Sequence, residues 1–165
     1  MTNLCRVLIT GVVGAALVPA VAVPAAAAPA PPSRAMERAV VAEMNAVRAK
    51  HSRPRVRGNP RLARAARAHS RSLQRRGVLS HDGPKGAPFW SRIVAAGFPR
   101  TRRMAENIAM VDGCGRAAAR RTVRMWMNSP AHRANVLDRR LRLAGAGVAC
   151  NARTGFTVVT ADYTS

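Results

Sequence analysis

The sequence predicts a layered domain of helices and an antiparallel sheet, and three observations carry that prediction. Helical spacing of apolar residues recurs in separate segments from Ala35 to Met127, most of them bounded by helix start or stop residues. The last quarter of the chain changes to runs rich in Gly, Val and Thr, divided by a short turn, which suit strands. The length of 165 residues is enough for one domain and not comfortably for two. Helices early and antiparallel strands late describe an α+β domain or an α/β/α sandwich.

Taken in order, Ala35 to Lys50 is a helix, with Val40, Met44 and Val47 at helical spacing. His51 to Gly58 reads as a basic loop. Asn59-Pro60 is a cap followed by proline at the first helical position, and the helix it opens runs to Arg76, where Gly77 supplies a left-handed stop. Leu62, Ala66, His69 and Leu73 share one face of that helix, and Arg64, Arg67, Arg71 and Arg75 fall on the opposite, solvated face. A Gly- and Pro-rich loop from Asp82 to Ala87 leads to a short helix opened by Pro88, with Phe89, Ile93 and Ala96 on one side and Gly97 at its end. Ala105 to Ala109 is loop-like, and Asp112-Gly113-Cys114-Gly115 makes a turn. Arg116 to Met127 resumes helix, and Asn128 or Ser129 with Pro130 starts another. Leu143 to Cys150 and Gly155 to Tyr163 are the two strands, joined by a turn over Asn151 to Thr154.

The first residues stand apart from this domain. A basic start (Met1 to Arg6), an apolar run (Val7 to Val23) and small-residue sites such as Ala25-Ala26-Ala27 form the order of a secretory signal. The apolar run of about 17 residues, broken by Gly11, Gly14 and Pro19, is short for crossing ~30 Å of hydrocarbon. Residues 1–28 are therefore expected to be a signal peptide cut near Ala27 or Ala28, residues 29–35 a Pro/Ala-rich linker, and residues 36–165 a single secreted domain with no transmembrane segment. Cys5 leaves with the signal, and Cys114 and Cys150 in an exported chain make one disulfide if the fold brings them together.

Charge is extreme: 28 basic residues face 7 acidic ones, for a net +21. Such a surface attracts anionic polymers and membranes weakly and nonspecifically. With a single Tyr there is too little aromatic surface for a single-strand nucleic-acid platform, so no specific nucleic-acid partner is expected. Paired-acid hydrolysis is hard to build from so few carboxylates, and the chain has no GxSxG, HExxH, Walker or GxGxxG motif.

Four polar residues stand out: His69, His81, Glu106 and His132. His69, on the apolar face of its helix, reads as a buried structural histidine. His132 sits in a helix first turn, where the macrodipole opposes protonation, so its imidazole stays neutral. Two neutral histidines beside a carboxylate suit zinc or a hydrolytic water. On the same evidence, Glu106 serves equally well as a salt-bridge partner, and His81 and His132 as struts in turns.

The ordered segments AHSRSLQRRGVLSH, PFWSRIVAAGF, AENIA, WMNSPAHRANVL, GAGVAC and FTVVTADY resemble the bacterial SCP-like branch of the CAP superfamily, which includes cysteine-rich secretory proteins, antigen 5 and pathogenesis-related 1 proteins. The resemblance covers Met36 to Tyr163. It implies a single CAP domain, an α/β/α sandwich with a central antiparallel sheet flanked by helices. It also implies a cleft in which His81, Glu106 and His132 match two histidines and one acid of a site that in many relatives holds a divalent cation such as zinc. Ser129 stands where animal and plant members carry a second acid, and Ala131 replaces a glycine. His81 and His132 are the expected metal ligands. The implied function is a secreted binding or interaction module at or outside the cell envelope; the resemblance implies a lipid or sterol as ligand, and the basic charge an anionic envelope polymer. A divalent-metal-assisted, peptidase-like hydrolase using the same cleft is the rival, and the resemblance leaves catalysis open.

Overall fold

A computed structural model describes residues 32–165; the expected signal peptide and residues 29–31 of the expected linker lie outside the described residues. Five helices and four strands follow in the order α1 (Pro32–Lys50), β1 (Arg57–Gly58), α2 (Pro60–Arg76), α3 (Phe89–Ala95), β2 (Met104–Asp112), α4 (Arg116–Asn128), α5 (Pro130–Leu137), β3 (Leu143–Cys150) and β4 (Phe156–Thr164). Helix α1 begins inside the segment expected to be linker, with Pro32 at its first position, where a missing N–H costs nothing. Among the described residues no helix is long and apolar enough to cross a membrane.

The strands lie in the order β1-β3-β4-β2. The three long strands pair antiparallel, as expected, and β1 adds two residues parallel to β3. Residues 57 and 58 were expected to be loop, because two residues show no periodicity. Their pairing is imposed from outside: Asn45 clamps both backbone groups of Val56, at 3.0 and 2.9 Å, and Asn59 N–H donates to the Ala144 carbonyl. A larger correction concerns Ala105 to Ala109, which is not loop but the middle of β2, at the free edge of the sheet. Its polar Glu-Asn pair hides the strand, since both side chains are buried against partners from distant segments.

Alternation along the strands divides the core in two. Ala144, Ala146, Val148, Val159, Ala161 and Tyr163 face α1, α4 and α5, where Met36, Val40, Met44, Val123 and Trp126 complete the main hydrophobic cluster. The opposite face meets α2 and α3. There Gly145 and Gly147 lie so close to α2 that a Cβ on either would overlap the backbone of Leu62–Ala63 or Ala66–Arg67. The glycines that disqualify GAGVAC as a helix thus let α2 lie against the strand. Ser70 Oγ seals this contact, donating to the Gly147 carbonyl at 2.9 Å.

Helix α2 keeps its expected bounds. The Asn59 side chain accepts from the Arg61 and Leu62 N–H groups, and Gly77 ends the helix at φ 65°. Arg67, however, is not on a solvated face: it is buried and pairs with Glu37 through two contacts of 2.6 Å. Arg48 is also buried, donating to the carbonyls of Pro54, Val136, Asp138 and Leu141 and so tying the C-terminal end of α5 to α1. Cys114 and Cys150 form the expected disulfide, Cα–Cα 5.8 Å, between the turn after β2 and the end of β3.

Candidate functional site

The free edge of β2 brings the predicted residues together. Alternation turns Glu106 to the α2 face, where its side chain is 1 % exposed. The loop after α2 carries His81 to it, and His81 Nδ1 donates to Glu106 Oε1 at 2.6 Å. From the other side α5 delivers His132. Asn107 Nδ2 donates to the His132 carbonyl (3.1 Å), and Asn135 Nδ2 donates to the Glu106 carbonyl and to Asn107 Oδ1 (both 3.0 Å). These contacts staple the first turns of α5 to β2. Ser129 stands at the N-cap position of α5, yet its hydroxyl makes no capping bond. Ser129 Oγ pairs with His132 Nδ1 at 3.0 Å instead, so it orients the imidazole.

Sequence reasoning missed two participants. Glu106 and Asp162 are directly opposed on β2 and β4, and both are buried. Like charges directly across a sheet repel. Arg92, from α3, resolves the conflict: its guanidinium meets Glu106 Oε2, and its Nε lies 3.2 Å from Asp162 Oδ2. Its Nη1 also donates to the His81 carbonyl. The signals were present as an arginine in PFWSR and an acid in the Thr/Val-rich final strand, but nothing in either segment relates one to the other. His69 is buried as expected. Its Nε2 donates to the Ser80 carbonyl (3.0 Å) and stands 3.7 Å from Glu106 Oε2.

Electrostatics keep the imidazoles uncharged. Burial, reinforced by the Arg92 charge, pushes His69 down to about 4 and lowers His81 as well. Burial and then the neighbouring His81 lower His132, so the direction expected from the helix dipole holds but other causes dominate. Burial drives Asp162 up to about 7 against the pull of Arg92. His81, with Nδ1 committed to Glu106 and its side chain 53 % exposed, presents Nε2 outward as a hydrogen-bonding atom.

Glu106 does not fit as a direct ligand of a divalent cation in this arrangement, so a cation bound here would rest on the Nε2 atoms of His81 and His132. One Glu106 oxygen is taken by His81 and the other by Arg92, so a cation is already in place as a guanidinium. Among the described residues no three His, Cys, Asp or Glu side chains are grouped to hold a metal. A cavity of about 730 Å³ lies between α2 and α3 and is lined by His69 and Arg92 but not by His81, Glu106 or His132.

Comparison with known proteins agrees with this architecture. The model of the CAP family, described as the cysteine-rich secretory protein family, matches residues 41–163. The chain is 31 % identical over 114 residues to YkwD of Bacillus subtilis, an uncharacterized protein, covering 68 % of this chain and 42 % of that one. It therefore spans less than half the length of this curated relative. Among solved structures, an extracellular Bacillus anthracis protein containing an SCP domain superposes with a TM-score of 0.67 at 22 % identity, over 80 % of this chain and 41 % of the other. An outer surface protein of Borrelia burgdorferi superposes with a TM-score of 0.64 at 15 % identity, over 79 % and 92 %. These likenesses establish the fold.

Proposed function

The chain belongs to the CAP family of cysteine-rich secretory proteins, and on that premise we propose that it is an exported binding module acting at or outside the cell envelope. The partner docks at the β2 edge, on His81 and His132, and is an anionic envelope polymer. One observation carries this reading. Each histidine has its Nδ1 engaged by an orienting group, Glu106 for His81 and Ser129 for His132, and is kept neutral. With Nδ1 donating to Glu106, neutral His81 offers Nε2 as an acceptor for a hydroxyl of the polymer, and His132 offers a second fixed Nε2, at little cost in ordering. The basic surface adds long-range attraction that salt weakens. Export is supported by the order of the N-terminal segments and by the extracellular and outer-surface descriptions of the structural neighbours.

The hydrolase reading finds less support. Glu106 would have to position a water or a metal, and its carboxylate is tied to Arg92 and His81. The lipid or sterol reading rests on the family alone.

Binding of the purified chain to poly(glycerol phosphate), measured by calorimetry at low and physiological salt, tests the proposal. Replacing both histidines (His81→Ala with His132→Ala) should weaken binding about tenfold at physiological salt, as for two lost hydrogen bonds of ~0.7 kcal/mol each. Equal affinity of the double variant and wild type would refute the edge site.

A further inference from the structure

The cavity between α2 and α3 adjoins the β2-edge site through His69 and Arg92, and the rest of its lining has its own chemistry. Its wall on α2 is the stripe Arg61, Arg64, Ala65, Ala68, Ser72 and Arg75, which follows helical spacing along the face turned away from the sheet. Opposite stand the Gly83–Ala87 loop and, from α3 and its end, Ser91, Ala95 and Ala96. Methyl groups of alanines thus make the floor and arginines the rim, and no carboxylate lines the space. Arg92, at its inner wall, is already neutralised by Glu106 and Asp162. Arg61 stacks on the Phe98 ring, 5.1 Å from its centroid. Among the described residues Arg61, Arg64 and Arg75 are engaged in none of the ion pairs.

We propose that this groove binds an extended acidic peptide segment of a partner protein. Three features select that occupant. From Arg61 to Arg75 the helix advances about 21 Å, the length of about six extended residues at ~3.3 Å each. Guanidinium groups at both ends of the groove recognise carboxylates through paired hydrogen bonds. Between them the alanine floor needs small apolar groups to cover it, which a peptide alternating acidic and small apolar residues supplies. A phosphodiester polymer has the charge but nothing apolar to set on those methyls. The Ser72 and Ser91 hydroxyls lie within the same lining and provide partners for peptide amides.

The net charge of +21 makes nonspecific attraction the main competitor, so the experiment must separate place from charge. An eight-residue peptide alternating Glu and Ala is titrated into the full chain, with the Gln-Ala peptide as neutral control. The Glu-Ala peptide should bind and the Gln-Ala peptide should not. Arg64→Ser with Arg75→Ser should weaken binding about tenfold, the sum of two exposed ion pairs of ~0.7 kcal/mol. Removing the same charge from the exposed face of α4, by Arg120→Ser with Arg124→Ser, should change it less than about twofold. Ala68→Trp keeps every charge and fills the groove from an exposed position, so it should abolish binding. Equal losses in the two arginine pairs, or an unaffected Ala68→Trp variant, would assign the affinity to the general basic surface and overturn the proposal. Tighter binding of a poly(glycerol phosphate) oligomer of equal charge, lost on Ala68→Trp, would also overturn it, in favour of a polymer. The histidine double variant should bind the peptide as wild type does, so failure at one site leaves the other standing.

Discussion

On the α1, α4 and α5 side of the sheet, the strands present Ala144, Ala146, Val148, Val159, Ala161 and Tyr163 to Met36, Val40, Met44 and Trp126. On the α2 and α3 side β2 and β4 present Glu106, Thr160 and Asp162 to Ser70, His69 and Arg92. The first face gains from removing apolar surface from water, roughly 25 cal/mol for each Å². The second spends part of that gain on desolvating charge, which a buried ion network returns only in part. What the polar face obtains is position: a fixed Glu106, hence a fixed His81, at the one edge where α5 also delivers His132. The edge itself is closed against further strand pairing. The carbonyls of Glu106, Ile108 and Asp112 point away from β4 and accept from Asn135, Trp126 and Arg121.

The sharpest way to break the apolar side is Trp126→Ala. The side chain is 1 % exposed and its Nε1 donates to the Ile108 carbonyl, so loss of packing and of that bond should cost about 4–5 kcal/mol in urea unfolding.

On the polar side, Arg92→Met should cost about 3–4 kcal/mol, because two opposed buried carboxylates lose their shared cation. Adding Glu106→Gln and Asp162→Asn to that variant should recover at least half of the loss. A triple variant no more stable than Arg92→Met would mean that Arg92 acts through packing and not through charge.

Smaller again is the pH effect. His69 falls from 6.5 to about 4 on folding, so the unfolded chain binds its proton more tightly. Its contribution is full above pH 6.5 and disappears as pH falls through 4, at most about 3 kcal/mol. Asp162 has the opposite sign. Raised to about 7, it contributes most below its ordinary carboxylate range, and that contribution disappears as pH rises through 7. The two windows overlap and nearly cancel in wild type, so in urea titrations from pH 4 to 8 stability should fall with rising pH in His69→Gln and rise up to about pH 6.5 in Asp162→Asn. Parallel curves for wild type and both variants would place the titrating groups elsewhere.

Local patterns were enough for much of this molecule. Caps, helical spacing and glycine stops located α2 to the residue, and the Gly/Val/Thr runs located β3 and β4 within one or two. Motif order brought out His81, Glu106, His132 and Ser129. Strand β2 escaped because its pattern is broken at Glu106-Asn107, whose burial depends on Arg92, His81 and Asn135. Those partners come from other segments, and no local window contains them.

Arginine marks the boundary between the two kinds of information most clearly. In the sequence Arg48, Arg67 and Arg92 look like the other basic residues of a strongly charged chain, and charge alone predicts solvation for all. Tertiary structure buries Arg48 against the carbonyls closing α5 and Arg67 against Glu37, and draws Arg92 largely out of water between Glu106 and Asp162. Helices α1, α2, α3 and α4, strands β3 and β4 and the two candidate cysteines were legible in the sequence itself, because caps, periodicity and cysteine count are local or countable. Which charges are buried, and therefore why a guanidinium holds Glu106 against Asp162, was decided only by the fold, because burial is a property of what packs around a residue.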